Sequence, residues 1–300
     1  MAILDVGDIR LHVQRLGPRD TPQQGGDGRP GPRHRLGGQP ATDDAPPAAA
    51  TVVLLHGLLT DSLASYYFTI APALAAAGLD VVMYDQRGHG RSERPATGYS
   101  LDRFVDDLGA LLDRLEIPGP VHLVGNSFGG TVSFGYAMLR PGRVASISVV
   151  ESEPATASWA RKITGLLGRV RQEMTTNETE ALDWIATHRG RHTARLAKAA
   201  GRLVRDTAIA REVTACDVVT EDAIRSLHCP VLAVYGGDSD LAEQAPWLRD
   251  RLPRCRTVLL PGHEHSVLVQ APGRVRDLVL EWINRASPAH DDPLPAAPWR

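Results

Sequence analysis

Cysteine is scarce. Cys216, Cys229 and Cys255 are the only three in 300 residues, an odd number without C-x-x-C spacing, so neither a disulfide framework nor a zinc site is suggested. They read as small hydrophobes in a reducing compartment. Long apolar runs are missing too: no stretch approaches the roughly 18 residues of a membrane span. The opening Met1 to Val6 lacks the basic-then-apolar pattern of a signal peptide. A soluble, cytoplasmic protein without a membrane partner is therefore expected. Charge of one sign is also lacking, and a net charge of −2 argues against a general nucleic-acid binder. What remains is an ordinary apolar content over a chain long enough to bury a large core, the profile of one α/β domain with an inserted subdomain.

The order of patterns along the chain supports that profile. Ile9 to Gln14 alternates apolar and polar residues, as an antiparallel edge strand does. Residues 17–50 are dominated by glycine, proline, arginine and short polar residues, which cannot bury enough apolar area to offset their ordering entropy. They are expected to form a flexible insertion between the second and third strands. From residue 51 the pattern becomes strand, helix, strand, with near-continuous apolar runs at 51–56, 80–85, 120–125, 144–151, 230–235 and 256–260, as in a parallel sheet covered on both faces. Helical spacing falls at 62–77, 100–116, 128–139, 241–252 and 272–285, the last opened by Pro272. Residues 155–226 carry helical stripes such as Ile163, Leu166, Leu167, Val170 and Met174, and no convincing strand. The expected domains are a core of 1–154 and 227–286, a helical insertion of 155–226 and a tail of 287–300.

Gly125-Asn126-Ser127-Phe128-Gly129 stands where the run Val121 to Val124 gives way to a helical pattern. The two glycines permit a turn tight enough to lift the Ser127 hydroxyl off the backbone, and the helix that follows aims its first amides beside it. A lone G-x-S-x-G is weak evidence. Here other apolar runs also end in chemistry-bearing loops: His56-Gly57-Leu58, Asp85 to Ser92, Gly236 to Asp240, and Pro261 to His265. At these residues, from about 50 to about 285, the chain resembles the α/β-hydrolase fold superfamily, in its serine-nucleophile branch with a helical cap. The resemblance implies a mostly parallel central sheet flanked by helices, with the cap inserted after the sixth strand and lying over the nucleophile.

The resemblance also implies roles. A serine hydroxyl needs a base within hydrogen-bond reach and a third group to orient that base, and the fold supplies them in the order serine, acid, histidine. For the base, His265 is preferred to His263, because its spacing to Pro272 matches the family's spacing from histidine to the final helix. For the acid, the family's G-x-x-D count reaches Asp240 from Gly237 and Ser239 from Gly236. Asp240 is preferred, Asp238 is the alternative, and Glu151 or Glu153 remain because some family members place the acid after the sixth strand. The oxyanion hole is expected from the backbone amides of Phe128 and Leu58, with His56 bracing the latter's loop. Asp85 to Ser92 is expected to be a structural turn.

The expected activity is cleavage of a carboxylic ester or thioester through an acyl-enzyme on Ser127, without metal or organic cofactor. The elbow serine disfavours the branches that use aspartate there. Carbon–carbon bond hydrolases of the meta-cleavage type use the same three residues, and some members of the fold bind small molecules without catalysis, so both readings stay open. Metal-like spacings are weak: His263 and His265 have no further ligand cluster, and His188 and His192 lie among Arg189, Arg191 and Arg195. Residues 158–211 hold 11 Lys or Arg against 5 Asp or Glu. Such a lid suits either solvated arginines or steering of an anionic substrate, including a coenzyme A or carrier-protein thioester.

Overall fold

The computed structural model describes residues 2–18 and 49–286. Eight strands form one sheet: β1 (Ala2–Asp5), β2 (Arg10–Leu16), β3 (Thr51–Leu55), β4 (Asp80–Tyr84), β5 (Val121–Asn126), β6 (Val144–Val150), β7 (Val231–Gly236) and β8 (Cys255–Leu260), in the spatial order β1-β2-β4-β3-β5-β6-β7-β8. β1 and β2 pair antiparallel, β2 pairs antiparallel with β4, and every later pairing is parallel. The apolar runs take the central places because each must be covered on both faces.

Strand periodicity divides the interior into two cores. Val53, Leu55, Tyr84, Leu123, Ile147 and Tyr235 face one side, where they meet α3 (Leu101–Arg114), α4 (Phe128–Leu139) and α10 (Gln244–Arg251). Their neighbours Val52, Leu54, Met83, Val124, Val150 and Val234 face the other, against α1 (Ala64–Tyr67), α2 (Ala71–Ala76), α11 (Val267–Gln270) and α12 (Pro272–Ala286). One strand thus feeds both layers through its twofold side-chain alternation.

The helix expected over 62–77 is divided into α1 and α2. Pro72 stands in the first turn of α2, where its missing N–H costs nothing, whereas a continuous helix would drive its ring into the carbonyl of Phe68. Between β6 and β7 the chain forms α5 (Ala157–Thr176), α6 (Glu178–His188), α7 (Arg191–Asp206), α8 (Ile209–Glu212) and α9 (Glu221–Arg225), without a strand. The Thr156 hydroxyl caps α5 by accepting from the Trp159 amide. Leu167, Leu203, Val204 and Ile209 root this helical cap in the first core. The expected insertion at 17–50 falls mostly, and the expected tail at 287–300 entirely, outside the described residues. No helix among the described residues is long and apolar enough to cross a membrane.

His122, on β5, is buried, with Nδ1 2.8 Å from the Ser146 hydroxyl. Burial pushes its pKa down from the ordinary 6.5 to about 4. Between those values the unfolded chain binds a proton that the folded chain refuses, so stability falls as pH drops through the interval. The slope from one such group is at most about 1.4 kcal/mol per pH unit. Urea unfolding at about pH 7 and about pH 5 should give midpoints whose separation narrows in His122→Gln. An unchanged separation would show that His122 carries no part of the acid sensitivity.

Candidate active site

Ser127 joins β5 to α4 in a left-handed conformation, φ 50° and ψ −119°. The strain is held from below: the Ser127 amide donates to the Val150 carbonyl at 2.9 Å, and the Gly130 amide donates back to the Ser127 carbonyl at 3.0 Å. A Cβ on Gly129 would run into the Leu55 carbonyl at the end of β3, so only glycine lets α4 start this close to the sheet. Beneath the elbow the Tyr66 hydroxyl bridges the Leu55 and Val124 carbonyls, each at 3.1 Å.

His265, in the loop after β8, brings Nε2 to 3.3 Å from Ser127 Oγ and Nδ1 to 3.1 Å from Glu151 Oε2. Glu151 is the first residue beyond β6 and has no exposed surface. Its carboxylate accepts from the Gly236 amide and from the Ser239 hydroxyl, the latter at 2.5 Å. Like Ser127, it has a positive φ, 52°. The Tyr235 hydroxyl donates to the Ser152 carbonyl at 2.6 Å, and the Thr131 hydroxyl donates to that of Glu153 at 2.8 Å, fixing the backbone that carries it.

This geometry corrects the preferred acid. Neither Asp240 nor Asp238 bonds His265; both are exposed. Asp240 lines the cleft above the serine, and Asp238 contributes its backbone amide, which donates to the His263 carbonyl at 3.0 Å. The turn after β7 aims Ser239 inward, and a serine there accommodates a carboxylate arriving from β6. Glu153, also buried, instead pairs with Lys162 at 3.0 Å, and burial raises its pKa against the pull of that ammonium. His263 turns Nδ1 to the Pro261 carbonyl at 2.9 Å and does not reach Ser127. A sequence signal for Glu151 existed: the count from Gly236 lands on serine where an acid was sought, and a carboxylate directly follows β6.

Phe128 opens α4, so its amide has no acceptor within the helix. The Leu58 amide likewise has no partner among the described residues. Gly57 packs beside the nucleophile, where an added Cβ would lie 3.4 Å from Ser127 Cβ. The intervening loop is braced on several sides. The Gly57 amide donates to Asp61 at 2.6 Å, and the Leu59 amide donates to His89 Nε2 at 2.9 Å. His56 accepts from the Gln86 amide at Nε2 and donates from Nδ1 to the Gly57 carbonyl at 2.7 Å. Burial and the neighbouring His56 hold His89 neutral, its pKa lowered to about 3, which keeps Nε2 an acceptor.

The serine opens into a cleft of about 470 Å³ between the C-terminal ends of the strands and α5, within the size range of small-molecule sites. Phe128, Trp159, Ile163, Leu166 and Leu241 supply its apolar lining. Trp159 stacks on Phe128 with 6.4 Å between ring centroids, coupling the cap to the residue that follows the nucleophile.

The alpha/beta hydrolase fold family model matches residues 50–272. The chain is 26% identical to proline iminopeptidase of Lactobacillus delbrueckii subsp. bulgaricus, over 81% of this chain and 91% of that protein. It is 40% identical to the non-heme chloroperoxidase of Streptomyces lividans over a shorter stretch, 26% of this chain and 28% of that protein. Among solved structures, a putative lipase from Acinetobacter baumannii superposes with a TM-score of 0.71 at 17% identity, covering 95% of this chain and 91% of that one.

If Glu151 holds the imidazole, Glu151→Gln should slow fluorophosphonate labelling of Ser127 by about 10⁴-fold, as when a buried triad acid becomes its amide. Asp240→Asn and Asp238→Asn should label at nearly the parent rate. Mass spectrometry of the labelled peptide measures all of them on one scale, with circular dichroism as a check on folding. An Asp240→Asn protein as inert as Glu151→Gln would return the role to Asp240.

Proposed function

Because the chain is a hydrolase of the α/β-hydrolase fold family, we propose that it cleaves a carboxylic ester or thioester of a small molecule through an acyl-enzyme on Ser127. The observation that carries this reading is the imidazole of His265 set between the Ser127 hydroxyl at 3.3 Å and the buried Glu151 carboxylate at 3.1 Å.

In this reading Ser127 Oγ attacks the substrate carbonyl while its proton passes to His265 Nε2. Glu151 accepts the Nδ1–H, which fixes the tautomer and stabilises the imidazolium without taking the proton. The carbonyl oxygen, now anionic, sits against the Leu58 and Phe128 amides, each worth about 3 kcal/mol of transition-state stabilisation. Collapse of the tetrahedral intermediate expels the alcohol or thiol, protonated by His265. A water enters, gives its proton to the same nitrogen, attacks the acyl carbonyl and releases the acid. Ser127 then recovers its proton. The braced His56 and the neutral His89 stand behind the loop, so the donors need no rearrangement as charge develops.

A screen of p-nitrophenyl esters of graded chain length, with acyl-coenzyme A and acyl-carrier substrates alongside, identifies the acyl group. On the best of them, Ser127→Ala should lower kcat by about 10⁴- to 10⁶-fold with its urea midpoint nearly unmoved, since the hydroxyl contributes chemistry more than packing. Retention of more than about a tenth of the activity would sink the serine mechanism.

A further inference from the structure

The cationic residues of the cap are not equivalent in space. Arg195 lies on α7, exposed, with a guanidinium nitrogen 3.3 Å from His192 Nδ1, and it does not line the cleft. Arg161 and Arg169 lie on α5 and do line it, together with Ser127 and His265. They are two turns apart on one helix face, with Gly165 between them. A Cβ on Gly165 would meet Arg169 Nη1 at 3.5 Å, so that guanidinium lies along the glycine.

Both arginines are exposed, and among the described residues neither has an ion-pair or hydrogen-bond partner. The third cation of the lining, Lys162, is occupied: it contacts Glu153 at 3.0 Å and Glu243 at 3.5 Å. On the acidic side, Glu151 is held by His265, Gly236 and Ser239. Asp240 is the remaining carboxylate of the lining. Two guanidinium groups and one carboxylate of the lining are thus left without a partner among the described residues.

We infer that the cleft takes an ester or thioester bearing a second, non-reacting carboxylate, which Arg161 and Arg169 bind while the scissile carbonyl lies at Ser127. Trp159, Ile163 and Leu166 share α5 with the arginines and, with Phe128 and Leu241, give the cleft its apolar lining, so the link between the two groups is a hydrocarbon or aryl segment. The guanidinium fork suits a planar carboxylate, and a cation pair at the entrance also attracts the anion from solution. This inference deepens the hydrolase reading and rests on the same cleft.

The test compares p-nitrophenyl hemiglutarate with p-nitrophenyl valerate, equal in acyl length and differing in the terminal carboxylate. 4-Valeryloxybenzoate serves as a third substrate, with the charge on the leaving group. Wild type should prefer one of the anionic esters by kcat/KM. The Arg161→Gln/Arg169→Gln protein should lose about tenfold of that preference, since each exposed pair contributes a factor of a few, with the change in KM. Salt raised until the Debye length falls from about 10 Å to about 3 Å should erode the same preference. Arg195→Gln should leave it as it was.

Binding supplies a readout independent of turnover. Calorimetry on Ser127→Ala protein should show monomethyl glutarate binding more tightly than methyl valerate, and that difference should shrink about tenfold with both arginines replaced. Anion preference in binding without ester hydrolysis or Ser127 labelling would sink the serine mechanism and leave the anion site standing. No anionic preference in turnover or in binding, or a preference equal in wild type and the double variant, overturns the inference.

Discussion

The site depends on keeping one carboxylate charged where water cannot reach it. Glu151 has no exposed surface, and an ionised group so placed carries a desolvation cost of several kcal/mol unless donors surround it. The Gly236 amide and the Ser239 hydroxyl provide two donors, and the imidazole of His265 provides a third. Each comes from a different stretch of chain: the end of β7, the turn beyond it and the loop after β8. The same contacts that stabilise the charge therefore fix the mutual positions of these segments. Gly236 serves twice, because a side chain there would strike the His263 carbonyl in the β8 loop. The backbone strain at Ser127 and Glu151 is concentrated where those segments converge, as expected when surrounding structure over-determines a reacting constellation.

A second constraint lies beneath the nucleophile's other flank. Asp85 accepts from the Leu63 and Arg91 amides and pairs with His12 at 2.8 Å, while Arg87 grips Asp107 through two short bonds at 2.7 and 2.6 Å. These buried charges hold the segment from Asp85 to Ser92 in the shape that presents His89 to the Leu59 amide. The charge of this segment is used within it and against its neighbours to hold its shape. It stiffens the loop that carries Gly57 beside the serine and, in the proposed reading, the Leu58 oxyanion donor, since a donor that must reorient during the reaction returns part of its electrostatic advantage.

The parts of this arrangement that were legible in the sequence are those set by backbone repeat. Buried parallel strands must be nearly continuous in apolar residues, so β3 to β7 stood out, and the turn at Ser127 announced itself through Gly125 and Gly129. The division of the segment 62–77 depended on Pro72, a local rule that periodicity overrides on inspection. The acid was not legible in the same way. Asp238, Ser239 and Asp240 are consecutive, and which one points inward is decided by the turn geometry after β7, where the Asp238 amide is tied to the His263 carbonyl. Whether His265 meets a group from β7 or from β6 is then a matter of which side chain spans the gap, a distance that residue counting does not contain. The basic character of residues 158–211 was equally plain, but composition does not separate Arg195, turned to solvent, from Arg161 and Arg169 at the cleft.

Placing the acid at Glu151 also changes what the β7 turn is free to do. With the imidazole's partner supplied from β6, Asp240 is not needed beneath the histidine and stands at the cleft wall. Its charge there opposes α5, where Arg161 and Arg169 stand on the cap side. In the proposed reading, orientation of the base and selection by charge reside in separate residues, the first buried and fixed, the second exposed and carried on a helix of the cap. Exposed charges contribute modestly and respond to salt, whereas the buried carboxylate tolerates no loss of a donor without leaving charge uncompensated. Substitutions at Arg161 and Arg169 can therefore retune what enters the cleft while the machinery at Ser127 stays in register, because α5 is joined to it through the Trp159–Phe128 stack and the Lys162–Glu153 pair and not through these two arginines.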